Sequence, residues 1–189
     1  MISSATFDDT LSTADATLEP DEPQPCGDIG ATVWYEYTPG TDSSITVTTA
    51  GSEFDTVVAA HGYGFSSPPL GLSPLDCNDD ADGATTTSSL TILAQAGEPM
   101  YFQVGGKAGA TGNLQFHFHA AVLNDNFDHA SSISRHQTPT VDTTGATLEP
   151  GESQPCGNIG ATVWYVYHAP ADFTITLDTS LPCGTFGNT

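Results

Sequence analysis

The sequence predicts an all-β chain: a jelly-roll-like antiparallel β-sandwich, present as one complete copy plus a truncated second copy. Three observations predict it. Short segments rich in Val, Thr, Ile and aromatic residues recur between Gly and Pro turns. No long amphipathic helical period runs along the 189 residues. One passage occurs twice: residues 16–35 read ATLEPDEPQPCGDIGATVWY and residues 146–165 read ATLEPGESQPCGNIGATVWY. Seventeen of these 20 positions are identical, at a constant offset of 130 residues. Solenoid repeats run roughly 20–50 residues, so this period is that of a whole domain. Copy one is assigned to residues 1–123. Copy two, residues 124–189, holds the N-terminal half of a second module. A half module cannot bury its apolar face. The expectation is therefore a fragment of a longer protein, or a module completed by another chain.

The elements of copy one follow in order. Residues 32–38 form a strand stopped by Pro39-Gly40. Residues 44–49 alternate with period two and end at Gly51. Residues 55–61 form the next strand, ended by Gly62. A long loop rich in Gly, Ser, Pro and Asp is predicted from there to about Thr86. Residues 89–94 and 100–104 are strands on either side of a turn at residues 96–99, and Gly105-Gly106 opens another loop. Residues 113–122 close the module. There Leu114, Phe116, Phe118 and Ala120 share one face, and Gln115, His117 and His119 share the other. The Phe face is the predicted core.

Charge sets the exclusions. The chain has 23 acidic residues against Lys107 and Arg135, a net charge of −21. That excludes nucleic-acid binding through phosphates, which needs basic groups. It also disfavours anionic membranes, and no apolar run reaches membrane-spanning length. So many uncompensated carboxylates repel one another in the compact state. Calcium, which takes carboxylate and carbonyl oxygens, is the predicted compensating ion; high salt would also screen the repulsion. The N-terminus, MISSATFDDT, has no basic or apolar stretch of a signal peptide, so a truncated secreted protein is expected.

The four cysteines fall two per copy, Cys26 with Cys77 and Cys156 with Cys183, and none lies in a C-x-x-C pair. One disulfide per module is predicted, with a secreted or cell-surface location. Buried free thiols in a reducing compartment are the alternative.

Two oxygen-rich clusters are candidate metal sites. In the first, Asn78, Asp79, Asp80 and Asp82 fall within five positions and Gly83 follows. The run resembles the start of a calcium loop without the distal Glu of an EF-hand. Asp55, at the head of its strand, is placed to contribute from across the sheet. The alternative is a set of Asx turns. In the second, Asn124, Asp125, Asn126 and Asp128 sit at the junction of the copies, where a cation would stiffen the linker; a polar linker anchored by Phe127 is the alternative. Trp34-Tyr35 and Trp164-Tyr165 are candidate sugar platforms, but adjacent strand residues point to opposite faces, so one of each pair is core. His117 and His119 lack an evident third ligand and read as a solvent-facing pair. No nucleophile, phosphate-loop or zinc-protease motif appears, and no catalytic residues are assigned.

Asn124 to Phe127, Gly145 to Glu152, Pro25 to Gly27, Thr32 to Tyr35, Phe54 to Val57, Cys77 to Asp80 and Tyr101 to Gly106, taken in order, resemble bacterial pre-peptidase C-terminal domains. The resemblance covers nearly all of copy one and the first half of copy two. It implies a secreted jelly-roll sandwich, appended to proteases or repeated in surface proteins. The related collagen-binding modules of collagenases hold calcium through an acidic linker, which implies Asn124, Asp125, Asn126 and Asp128 here. Copy one lacks that opening motif, since Met1 falls near the position of Ser131.

The expected function is a non-catalytic extracellular repeat module for spacing, adhesion or surface attachment, stabilised by calcium and disulfides. Alternatives are accessory domains of a secreted protease or other hydrolase, and a filament subunit whose half module a neighbour completes. Expected partners are neighbouring copies head-to-tail, a glycan or a matrix protein.

Overall fold

A computed structural model describes residues 1–63, 71–141, 143–154, 157, 159–172 and 174–178. The described residues of copy one form eight strands: β1 (Thr6–Ser12), β2 (Ile29–Tyr37), β3 (Ser43–Thr48), β4 (Thr56–Tyr63), β5 (Leu72–Asn78), β6 (Ser89–Ala94), β7 (Met100–Lys107) and β8 (Asn113–Val122). They make two four-stranded sheets, ordered β1-β8-β3-β6 and β2-β7-β4-β5. Every pairing within them is antiparallel. The predicted sandwich is the observed architecture.

The core forms where alternating apolar faces meet. On β8, Leu114 and Phe116 are fully buried and Phe118 and Ala120 nearly so. Ile45 and Val47 extend this face along β3. Tyr35, Val58, Ala60, Phe102 and Val104 present the opposing face from the second sheet. Tyr35 stacks on Phe116 with ring centroids 3.8 Å apart and planes 8° from parallel. Its hydroxyl meets Asp9 Oδ2 at 3.0 Å. Burial first, then the Asp9 charge, pushes the Tyr35 phenol well above its ordinary pKa.

Two strands escape the sequence reading. β1 carries Asp8, Asp9 and Thr10, and none of its residues is fully buried, because it is a sheet edge with only Phe7 and Leu11 packed against the core. β5 lies inside the segment predicted as loop. It contains Pro74, which an edge strand tolerates because one side needs no ladder hydrogen bond.

The second sheet is covered on its other face too. Alternate β4 residues Val57, Ala59 and His61 point away from the core, yet all are buried. The segment 13–28 crosses this face. Thr32 N–H ties it to β2 through Thr17 C=O, and the Cys26–Cys77 disulfide ties it to β5. The predicted Cys26–Cys77 bridge is thus present; Cys156 and Cys183 lie outside the described residues.

β2 is the other edge of this sheet, and it bulges between Gly30 and Val33, with Ala31 at φ 51°. The bulge brings backbone close to β7. A Cβ on Gly105 would lie 2.7 Å from Gly30 O, and one on Gly106 only 1.8 Å from Ala110 O. Only glycine fits at either place.

Copy two begins with a 3-10 turn, Phe127–His129, followed by Ser131–Ser132 (β9) parallel to Tyr165–Val166 (β10). Several of its local bonds repeat those of copy one, although the Trp164 indole N–H finds no hydrogen-bond partner among the described residues where that of Trp34 meets Glu22. Glu149 N–H donates to Glu152 Oε2 as Glu19 N–H does to Glu22 Oε2, both at 2.9 Å. Thr162 Oγ1 donates to Thr147 C=O as Thr32 Oγ1 does to Thr17 C=O, both at 3.2 Å.

The disulfide closes a loop across a sequence separation of 51 residues. Replacing Cys26 and Cys77 by Ser is expected to lower stability by about 4 kcal/mol in the chain-entropy account, read as a fall in the urea midpoint.

Candidate functional site

β4 runs antiparallel to both of its neighbours, so the start of β4 and the ends of β5 and β7 meet at one end of the sheet. Asp55 precedes β4, Asp79 and Asp80 follow β5, and Lys107 ends β7. One carboxylate oxygen from each of Asp55, Asp79 and Asp80 lies within 4.8 Å of the others. Lys107 Nζ pairs with Asp79 Oδ2, and Lys107 N–H donates to Asp55 C=O at 3.0 Å. Asp55 Oδ1 and Asp79 Oδ1 are shielded from solvent with no hydrogen-bond partner among the described residues. Burial, then the charges of Asp79 and Asp80, pushes the Asp55 carboxyl above the usual range, against the opposing pull of Lys107. The Asp79 hydrogen bond holds the Lys107 ammonium above its usual range.

Of the five residues predicted for this site, three converge and two shape the loop. Asn78 Oδ1 accepts Ser89 N–H at 2.8 Å and its Nδ2 donates to Asp80 C=O at 3.0 Å. Asp82 Oδ1 accepts Ala84 N–H at 2.8 Å. Ser88 Oγ donates to Asp79 C=O at 2.7 Å, tying the loop to the core. Three carboxylates against one ammonium leave two unbalanced charges around two orphaned oxygens. The donor set fits a hard divalent cation, for which carboxylate and carbonyl oxygens are the natural ligands.

The four junction residues take another arrangement. Asn124 and Asp125 are buried. Asn124 C=O accepts Trp164 N–H at 2.8 Å and its Nδ2 donates to Trp164 C=O at 3.1 Å. Asp125 accepts Thr147 N–H at 2.6 Å and Thr147 Oγ1 at 2.8 Å. Asn126 flanks the 3-10 turn without a side-chain cap bond, and Asp128 is exposed. Phe127 sets its ring edge-on against Trp164 with centroids 5.0 Å apart, and its N–H donates to Glu149 Oε2 at 3.0 Å. The segment is thus clipped to Thr147, Glu149 and Trp164.

Trp34 and Tyr35 divide as strand geometry demands. Tyr35 is core, whereas Trp34 faces outward, its indole 5.3 Å from the buried His61 ring. His61 meets Gln103 Oε1 at 3.2 Å, and burial lowers its pKa. His117 turns to Asp8, with Nδ1 2.6 Å from Oδ1.

Sequence reasoning missed Glu22. This buried carboxylate accepts Thr32 Oγ1 at 2.6 Å, Glu19 N–H at 2.9 Å and the Trp34 indole N–H. One signal was available: Glu22 recurs as Glu152 between two positions that differ, Asp21 against Gly151 and Pro23 against Ser153.

No family model matches the sequence, and no curated protein matches it. Among solved structures, the chain is similar to PliG of Aeromonas hydrophila, a periplasmic lysozyme inhibitor of g-type lysozyme. The identity is 12%, over 61% of this chain and 84% of that chain, with a TM-score of 0.37. That likeness is too slight to carry a functional argument. No helix among the described residues is long and apolar enough to cross a membrane.

Replacing Glu22 by Ala leaves the Trp34 indole N–H and the Glu19 N–H unpaired, while the Thr32 hydroxyl keeps Thr17 C=O as its acceptor. A loss of roughly 1–3 kcal/mol is expected, measured by thermal melting together with a shift in tryptophan fluorescence.

Proposed function

We propose that this chain is a non-catalytic extracellular β-sandwich repeat module, serving spacing, adhesion or surface attachment. The observation that carries the reading is the repetition of one hydrogen-bonded framework 130 residues apart, at Glu19/Glu22 and again at Glu149/Glu152. Tandem copies of a small disulfide-stapled sandwich make a chain of stiff beads. The disulfide fits an oxidising compartment, and the acidic surface fits a soluble location outside the cell. The resemblance of the motif series to pre-peptidase C-terminal domains supports the same reading.

Calcium is the proposed ion, held by Asp55, Asp79 and Asp80 at the shared end of β4, β5 and β7. Its role is electrostatic: it offsets the surplus negative charge that Lys107 only partly answers, and it supplies partners for the two orphaned oxygens.

The test is a thermal melt of the full chain in calcium and in chelator. An ion bound only by the folded state raises the midpoint by mass action, so chelation is expected to lower it; identical midpoints would exclude the site. A companion assay follows retention of calcium-loaded protein on collagen-coated and glycan-coated surfaces, with loss on chelation expected.

A second prediction follows from Asp55. Its folded-state pKa lies above the unfolded value, so the ion-free folded protein binds that proton more tightly. Its contribution to stability therefore falls as pH rises from the ordinary carboxylate range through the raised pKa. Relative to wild type, Asp55→Asn is expected to flatten this slope, raise the ion-free midpoint by a few degrees and abolish the calcium gain.

A further inference from the structure

β6 is a border strand of the first sheet, whose order is β1-β8-β3-β6. Thr49 N–H bonds to Ser88 C=O at 3.0 Å, which sets the phase of the ladder between β3 and β6. Val47 with Leu90, Ile45 with Ile92 and Ser43 with Ala94 are then the bonded pairs. Ser89, Thr91 and Leu93 therefore turn their backbone groups away from the sheet. Ser89 N–H is taken by Asn78 Oδ1 at 2.8 Å. No described residue meets the N–H or C=O of Thr91 or of Leu93. The side chains agree that this border is open. Thr91 is exposed, Leu93 is 69% exposed, and Ile92, which points toward the core, is only half-buried.

Edge strands are commonly guarded by proline, a bulge or an inward charge. The other borders of this module follow that rule. β5 contains Pro74, β2 bulges, and β1 turns Asp9 in toward the Tyr35 hydroxyl. β6 reads SLTILA, pairs with β3 without a break and carries no charge. Its acidic neighbours stand at its two ends instead. At the start, the loop after β5 runs alongside, since Ala81 N–H bonds Thr87 C=O at 2.7 Å, and it exposes Asp80 and Asp82. At the finish, Asp42 accepts Ala96 N–H at 2.9 Å and the exposed Glu98 follows in the turn. Pairing β6 with β6 of a second copy, in either direction, sets an acidic end against an acidic end. A strand with basic residues at both ends meets attraction at both. The 189 residues hold only Lys107 and Arg135, too far apart to flank one strand, so such a segment comes from another protein.

We propose that the β6 edge binds an extended segment of another protein, antiparallel, with a β-branched residue at its centre and Lys or Arg at each end. The central side chain lies beside Ile92 and covers its open flank. The residues before and after it exchange backbone bonds with Leu93 and Thr91, adding a strand to the sheet. The basic ends face Glu98 and Asp42 on one side and Asp80 and Asp82 on the other. This goes beyond the module reading and requires neither the bound ion nor the second copy. Added salt weakens the association by screening the end charges.

The test is fluorescence anisotropy of the labelled peptide KRTVTRK, titrated with the full chain in chelator at low salt, with amide shifts followed by NMR. Saturable binding is expected, with shifts centred on Thr91 and Leu93. Methylating the amide nitrogen of either peptide threonine removes a donor that faces β6. It should weaken binding about tenfold, as loss of roughly 1.4 kcal/mol would. Thr91→Pro removes the facing donor in the protein; that N–H lies outside the ladder, so an edge strand tolerates the change, and circular dichroism checks the fold. A similar loss is expected. Leu93→Lys, at an exposed position, should weaken binding severalfold by repelling the basic flank. Asp82→Asn with Glu98→Gln should also weaken it severalfold. Asp15→Asn with Asp21→Asn, an equal change of charge elsewhere on the surface, should leave it unchanged. Absence of saturable binding at millimolar peptide overturns the proposal. So does equal loss from both neutralised pairs without a response to amide methylation, which is general charge attraction. So does a dimer of the chain that Thr91→Pro abolishes, which makes a second copy the occupant.

Discussion

The second sheet is closed on both sides, and much else follows from that closure. A sandwich needs only one buried face per sheet, yet Val57, Ala59 and His61 are covered by a loop rather than by water. Loops have little apolar surface with which to hold themselves down. This one is held by a covalent bond at Cys26 and by Glu22 beneath it. The carboxylate serves three donors at once, which is what makes its burial tolerable. Loop, indole and sheet are therefore fixed relative to each other, and the geometry of the Trp34 edge is inherited from that fixing.

Charge is the second constraint, and it acts at the end of the same sheet. With two basic residues against 23 acidic ones, most carboxylates must stay in water. Antiparallel pairing nonetheless brings Asp55, Asp79 and Asp80 to one place and gives them Lys107. Burial first, and then like charges held at that spacing, disfavour ionisation, which is the direction of the Asp55 shift. An arrangement that repels itself when empty is one that a cation would relax.

How much of this was legible depends on what each residue answers to. The β8 alternation was plain, because Leu114, Phe116 and Phe118 answer only to the core. β1 and β5 were hidden, because edge strands are half solvated and can carry Asp, Ser and Pro without penalty. Asp79 and Asp80 were visible as a local cluster and Asp55 as the head of a strand. Lys107 was not, because its meeting with them depends on the order β7-β4-β5, which no local pattern encodes. Asn124 and Asp125 were read as cation ligands from their local cluster, whereas the bonds they make here are to Trp164 and Thr147, some 20 to 40 positions away. Glu22 was hidden among many acids; only its recurrence at Glu152 marks it.

The bulge at Gly30–Val33 has a consequence for solubility. An uninterrupted flat border would template stacking of one molecule on the next, the route to insoluble fibres. Here the kink with Ala31 at positive φ breaks the border into short lengths, and Thr17 and Ile2 already cap those on either side of Trp34. What is left is too short a border to template a growing sheet.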